Sequence, residues 1–315
     1  MDSTNYVISN EIQTTFMQQI IITVKFYLIS FLCLIWCSLK SIISGLFVYR
    51  SRKAIQGQVA LVTGAGNGLG RAIAIRLAKE KCHIAVVDIN VEAAEKTVED
   101  VKTFGVKAKA YKVDVSNYDD VLSLKDEIIE DLGYVTILIN NAALLSATPS
   151  LTASRELIQR TIDVNVCSHF WTTKIFIGDM VTKRQGHIVA ICSIMGLVPA
   201  KSTLYAVTKN ALHNFMGCLK EELYGKQWHK MISTTCVYPF FIATRKEITD
   251  TISKNKAIVV SPSYAADIIV EAIRSEEEIL SIPKGYFTAK RLFSMLPQEA
   301  IRNYRKIIFG KNNFI

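Results

Sequence analysis

From Gln58 onward, short apolar runs alternate with longer segments whose apolar positions recur every three to four residues. The runs Val59–Val62, His83–Val87, Ala108–Val113, Val135–Ile139, His187–Cys192, Ile232–Val237 and Ile279–Ile282 read as strands. Gly70–Lys79, Val91–Phe104, Asp119–Asp131, Leu157–Val181, Tyr205–Leu223 and Pro262–Arg274 read as amphipathic helices between them. Strictly alternating strands and helices predict an α/β fold, a doubly wound seven-stranded parallel sheet with helices on both faces. No repeat or low-complexity linker marks a second globular domain.

The pattern before Gln58 is of another kind. Ile20–Tyr49 is almost wholly apolar apart from Lys25, Lys40 and a few small polar residues. About 20 such residues span a bilayer as a helix. A lysine at mid-bilayer costs about 2.5–3.5 kcal/mol. Two layouts avoid that cost: Ile20–Leu39 spans with Lys40 at the interface, or the segment lies in one leaflet as a monotopic anchor. Arg50, Arg52 and Lys53 follow the apolar run, so the positive-inside rule places the globular part in the cytosol. Beyond Lys284, Gln298–Phe309 sets Ile301, Tyr304, Arg305 and Ile308 at helical spacing and predicts a short amphipathic helix. The expected organisation is a membrane anchor with a basic flank over 1–57, one α/β domain over 58–283, and a basic amphipathic tail over 284–315.

Composition sharpens this division. The chain has 315 residues, 50% of them hydrophobic, with a formal net charge of +9. Residues 1–57 carry five Lys/Arg against two Asp/Glu, residues 284–315 carry seven against one, and the middle is balanced at 25 each. The surplus therefore sits on the two ends, where cations near a bilayer attract anionic headgroups. It does not form a nucleic-acid footprint. Seven cysteines without a C-x-x-C pair read as reduced, buried thiols of a cytosol-facing domain. The five histidines show no metal-ligand spacing and read as structural or surface residues.

The chemistry is concentrated at strand ends. Val59–Thr63 runs into Gly64-Ala-Gly-Asn67-Gly68-Leu69-Gly70 and then a helix, the order of a Rossmann-type phosphate turn. Gly64 permits the turn, Gly68 lets the backbone approach a pyrophosphate, and Gly70 allows close helix–sheet contact. Asp88 ends the second strand, 18 residues after Gly70, where a carboxylate accepts both adenosine-ribose hydroxyls and repels a 2′-phosphate. NAD is therefore expected over NADP. Asp114-Val115 and Asn140-Asn141 end the third and fourth strands and border the same crevice.

Moving a hydride to or from a carbinol carbon requires a proton to leave or join its oxygen, and free tyrosine, with a pKa of about 10, holds its proton too tightly. Tyr205 and Lys209 are four apart on one helix face, so an ammonium stands beside the phenol and favours phenolate. Ser193, at the end of the fifth strand, can hydrogen-bond the substrate oxygen. Asn165 can carry an ordered water toward Lys209.

With these marks in place the sequence resembles the short-chain dehydrogenase/reductase superfamily over about 225 residues, through Thr63-Gly64-x-x-x-Gly68-x-Gly70, Asn140-Asn141-Ala142, Asn165, Ser193, Tyr205-x-x-x-Lys209, and Pro239 with Thr244. Asp163-Val-Asn-Val, His169-Phe-Trp-Thr-Thr-Lys174 and the anchor resemble its membrane-anchored branch of 17-beta-hydroxysteroid and retinol dehydrogenases. The resemblance implies a catalytic tetrad of Asn165, Ser193, Tyr205 and Lys209, and a cofactor site including Asn67, Leu69, Asp88, Asp114, Val115 and Asn141, with Ile242 and Thr244 near the carboxamide and phosphates. Three departures stand out: Ala143 and Phe240 replace usual glycines, and the Ser193–Tyr205 spacing is one residue short.

The expected function is NAD-dependent interconversion of a lipophilic, retinol- or steroid-like alcohol and its carbonyl, at the endoplasmic reticulum or a lipid droplet. The alternatives are a low-activity lipid-surface interaction protein that retains the fold, and an NADP-dependent carbonyl reductase. The expected partners are the lipophilic substrate and the membrane or lipid-droplet surface, with no nucleic acid; a homodimer stays open.

Overall fold

The computed structural model describes residues 17–36, 39, 52–146, 148–197, 203–244, 259–287, 297, 299, 300 and 303. The chain divides into two units, residues 1–51 and 52–315. In the first, helix α1 (Met17–Trp36) has 20 residues, a mean hydropathy of 2.0 and no buried position. A helix exposing apolar side chains all round has the length and composition to cross a bilayer.

In the second unit, strands β1 (Val59–Thr63), β2 (His83–Asp88), β3 (Ala108–Lys112), β4 (Val135–Asn140), β5 (Gly186–Ile191) and β6 (Ile232–Pro239) alternate with helices. These are α2 (Gly68–Lys79), α3 (Val91–Lys102), α4 (Tyr118–Asp131), α5 (Arg155–Ile162), α6 (Ser168–Thr182) and α7 (Thr203–Gly225). A short parallel pair, β7 (Phe241–Ile242) with β8 (Val259–Val260), then leads to α8 (Pro262–Arg274) and β9 (Ile279–Ile282). The main sheet is parallel throughout in the order β3-β2-β1-β4-β5-β6-β9, the doubly wound arrangement the pattern predicts.

Continuous apolar strands such as β1 and β5 are buried on both faces because helices cover both. On one face Ile73 and Leu77 of α2, Val98 and Val101 of α3, and Ile269 and Ile273 of α8 close over Val62, Val86 and Ile139. On the other, Leu124 and Ile128 of α4, Phe176 and Met180 of α6, and Leu212 and Met216 of α7 close over Leu61, Val87 and Leu138.

The helix expected over Leu157–Val181 is interrupted. Asp163–Cys167 forms a π-helical turn between α5 and α6 and carries Asn165, which is fully buried. Such wide turns recur at functional sites. The basic flank also differs from expectation. Arg52 and Lys53 pair with Glu271 at 3.0 Å and Glu276 at 3.1 Å, so these two cations are engaged by carboxylates of the globular unit rather than left for lipid headgroups. Two thiols expected to be buried, Cys33 and Cys218, are exposed. The amphipathic helix expected over Gln298–Phe309 lies outside the described residues, apart from helical Glu299, Ala300 and Asn303.

Candidate active site

The sheet order reverses between β1 and β4, so the helices that follow them lie on opposite faces and a crevice opens at the strand ends. Its volume is about 610 Å³. Of the residues singled out in the sequence, Gly64, Asn67, Gly68, Leu69, Asp88, Asp114, Val115, Asn141 and Thr244 all line it. Ile89, Val113, Leu144, Arg160 and Val164 line it as well, and nothing in their spacing announced them.

The phosphate turn is built for close approach. Gly68 has φ +56°, and a Cβ there would stand 2.9 Å from the Thr244 methyl. A Cβ on Gly70 would lie 2.2 Å from the Gly64 carbonyl oxygen, so α2 touches the turn only because that position is glycine. Asn67 makes no side-chain cap and the first turn of α2 has no acidic residue, which leaves its N–H groups to an anion. Asn141 braces the turn from behind: its Nδ2 donates to the carbonyls of Thr63 at 2.9 Å and Gly64 at 3.1 Å. Asp88 accepts from the Gly66 N–H at 2.8 Å and the Asn90 N–H at 3.0 Å, which fixes its carboxylate at the crevice edge. A glycine cradle that a Cβ would fill, an open helix terminus and an oriented carboxylate fit an adenine dinucleotide.

Ser193, Tyr205 and Lys209 come together beside the end of β5. Ser193 follows that strand, and its hydroxyl shares a hydrogen bond with the Tyr205 phenol. The one-residue shortening between them therefore does not separate them. A 3-10 turn, Ile194–Leu197, presses against α7 so closely that a Cβ on Gly196 would stand 2.6 Å from the Lys209 carbonyl carbon. The Lys209 Nζ, almost fully buried, donates to the Ile191 carbonyl at 2.7 Å and lies 5.7 Å from the Tyr205 ring centroid.

The electrostatics correct one expectation. Burial pushes the Tyr205 phenol up to about 12, the Ser193 hydrogen bond opposing it only in part. Burial also pulls the Lys209 ammonium down to about 8. In the protein alone desolvation dominates, and the phenol keeps its proton. Asn165 is likewise committed differently. Its Oδ1 accepts from the Leu144 N–H at 2.7 Å, and its Nδ2 donates to the Leu144 carbonyl at 3.0 Å and the Thr208 hydroxyl at 3.1 Å. It ties the crevice wall to the helix bearing Tyr205 and Lys209.

Three sequence features find different places. Ile242 belongs to β7 and packs against the core instead of lining the crevice. Phe240 is nearly buried, donates its N–H to the Ile282 carbonyl at 2.8 Å, and meets Tyr286 edge-on at 5.5 Å. An aromatic cluster thus fills the place of the usual glycine. Ala143 lines the crevice and is exposed.

The family profile of the short chain dehydrogenases matches residues 58–255. Human estradiol 17-beta-dehydrogenase 11 is 33% identical over 279 residues, covering 88% of this chain and 92% of that protein. Human epidermal retinol dehydrogenase 2 is 34% identical over 272 residues, covering 84% and 88%. Among solved structures, L-sorbose reductase of Gluconobacter frateurii with NADPH and L-sorbose superposes with a TM-score of 0.66 at 26% identity, over 72% of this chain and 95% of that one. A dehydrogenase from Burkholderia phymatum with NAD gives 0.70 at 22% identity, over 77% and 95%, which speaks to the fold alone. The fold thus receives either NAD or NADP. With the glycine cradle, the strand-end crevice and the family match over most of the globular unit, the chain belongs to the short-chain dehydrogenases, enzymes that act on CH–OH groups with NAD(P).

Proposed function

We propose that this enzyme interconverts a lipophilic, retinol- or steroid-like alcohol and its carbonyl at a membrane surface, using NAD. The observation that carries the chemistry is the Tyr205 phenol hydrogen-bonded to Ser193, with Lys209 one helical turn further on. Ser193 orients the substrate oxygen, and Tyr205 takes the hydroxyl proton in oxidation and returns it in reduction. Bound NAD supplies the hydride acceptor for the carbinol carbon. Lys209 holds positive charge beside the phenol while the proton moves, and Asn165 fixes the turn of α7 that carries both.

Asp88 supports NAD over NADP, because its oriented carboxylate accepts ribose hydroxyls and repels a phosphate. The apolar α1 and the exposed Leu144, Leu145 and Leu151 after β4 support a lipid-derived substrate, as do the names of the steroid and retinol dehydrogenase relatives. The same helix and the basic residues after it support cytosol-facing membrane attachment, at the endoplasmic reticulum or a lipid droplet in this reading. An NADP-dependent reductase has one observation in its favour. Arg71 and Lys96 rim a neighbouring cavity of about 330 Å³ beside Asn67. Arg71 is, however, bound to Asp100.

The test is turnover of retinol, steroid alcohols and long-chain alcohols by liposome-embedded protein with NAD or NADP. Oxidation with NAD that disappears in Tyr205→Phe is expected, as is a gain of NADP binding in Asp88→Ala. No turnover of any substrate with either cofactor would overturn the reading in favour of a lipid-surface protein.

A further inference from the structure

We propose that Arg160 is a positioning residue for the adenine half of the dinucleotide, acting through Asp114. The inference rests on the cofactor reading of the crevice. Asp88, at the end of β2, faces the adenosine ribose in that reading. The next strand outward is β3, so the base lies toward Asp114, which follows it. An adenine ring presents an exocyclic amino group, a hydrogen-bond donor that a carboxylate can accept.

The Asp114 carboxylate is prepared for that task. Oδ1 accepts from the Ser116 N–H at 3.0 Å and the Ser116 hydroxyl at 2.6 Å, and Oδ2 accepts from Arg160 Nη2 at 2.9 Å. The other terminal nitrogen of Arg160, Nη1, donates to the Ser116 hydroxyl. One planar guanidinium therefore holds both ends of the Asp114–Ser116 turn, a fork that the single ammonium of lysine cannot reproduce. A carboxylate offers about four acceptor positions. Three donors occupy Asp114, leaving Oδ2 able to accept one more. Burial alone would raise the Asp114 pKa, yet the bonds from Ser116 and Arg160 hold it below the ordinary value, so the acceptor stays ionised.

Stability does not explain the arrangement. The side chains of Arg160 and Asp114 are 41% and 30% exposed, and an ion pair so close to solvent adds little to folding. Arg160 nevertheless lines the crevice from α5, five residues before Asn165, so the segment that clamps the catalytic helix also clamps the base end.

The experiment titrates NADH fluorescence into full-length protein, wild type against Arg160→Gln, Arg160→Lys and Ser116→Ala, with ADP-ribose and nicotinamide mononucleotide as competitors. Arg160→Gln should weaken NADH and ADP-ribose by the same factor, about tenfold for about 1.4 kcal/mol, and leave nicotinamide mononucleotide unchanged. The KM for NAD should rise by that factor, more than kcat falls, with Arg160→Lys intermediate. Ser116→Ala, which removes one anchor of the fork, should weaken NADH and ADP-ribose together by a smaller factor, with nicotinamide mononucleotide unchanged, and stands in if Arg160→Gln does not fold. Unchanged NADH affinity, or equal weakening of both competitors, would overturn the inference while leaving the cofactor reading intact. A wild-type protein that binds no NADH would overturn both.

Discussion

The Asn165 amide donates to the Thr208 hydroxyl at 3.1 Å, and that hydroxyl donates to the Tyr205 carbonyl at 2.8 Å. The π-helical turn and the first turns of α7 are thereby one hydrogen-bonded unit. Asn165→Ala strips three hydrogen bonds from buried backbone and side-chain groups. Each polar group left unpaired costs about 1–3 kcal/mol. A lowered melting temperature and a fall in kcat of at least about tenfold are expected. Thr208→Val should lose less, and a double-mutant cycle between the two should show coupling of about 0.5–3 kcal/mol. Strict additivity would show that they act apart.

Alcohol oxidation should speed up with pH. With Tyr205 near 12, the phenolate fraction grows about tenfold per pH unit through neutrality, so log kcat/KM for oxidation is expected to rise from pH 6 to 8. Lys209, near 8, then begins to lose its charge, and the rise should flatten above that pH. Carbonyl reduction uses the protonated phenol and should vary little over pH 6 to 8. Parallel measurement of the two directions checks the opposite behaviour.

Gly196→Ala places a methyl 2.6 Å from the Lys209 carbonyl carbon, against backbone that cannot swing away. The 3-10 turn must retreat from α7 and carry Ser193 with it. Thermal melting should drop by several degrees, for a cost of about 1–3 kcal/mol. The kcat should fall more than the affinity for NADH, since the phosphate turn lies elsewhere. Equal activity in the variant would show that the Ser193–Tyr205 contact survives the shift.

Acid should loosen the fold below pH 6.5. Burial holds His169 and His187 well below their ordinary value, with the charges of Lys209 and Lys53 adding to the effect. Above pH 6.5 both are neutral folded or unfolded, and stability does not depend on them. As the pH falls through 6.5 the unfolded chain takes up protons that the folded protein refuses. Stability is then lost at up to about 1.4 kcal/mol per pH unit for each histidine. Urea midpoints at pH 7 and 5 measure the loss. His169→Phe removes the imidazole beside Phe215 and should roughly halve this contribution.

Most of the fold was legible because central strands such as β1 and β4 are continuous apolar runs and Gly64, Gly68 and Gly70 of the phosphate turn each have a backbone reason to be there. Asp88, Ser193, Tyr205 and Lys209 stood at fixed spacings, and the fold sets Asp88 at the crevice edge and the other three beside the end of β5. The interruption at Asp163–Cys167 was not legible, since apolar positions continue through it from Leu157 to Val181 and a single extra residue leaves no compositional trace. Arg160 was invisible for another reason. Its partners Asp114 and Ser116 are 46 and 44 positions away, and only the folded sheet brings them within reach. The upward shift of Tyr205 depends on burial, which a four-residue spacing does not report.

The wide turn at Asp163–Cys167 also makes this stretch intolerant of changes in length. Each residue of a helix advances the side chains by about 100°. Deleting one residue to restore a regular helix would rotate everything downstream, turning Phe176 and Met180 away from the β-sheet they cover. Rotating the upstream half instead would carry Arg160 away from Asp114. Substitutions can therefore accumulate on the solvent-facing positions of α5 and α6, whereas an insertion or deletion between Arg160 and Phe176 must sacrifice either the crevice wall or the core.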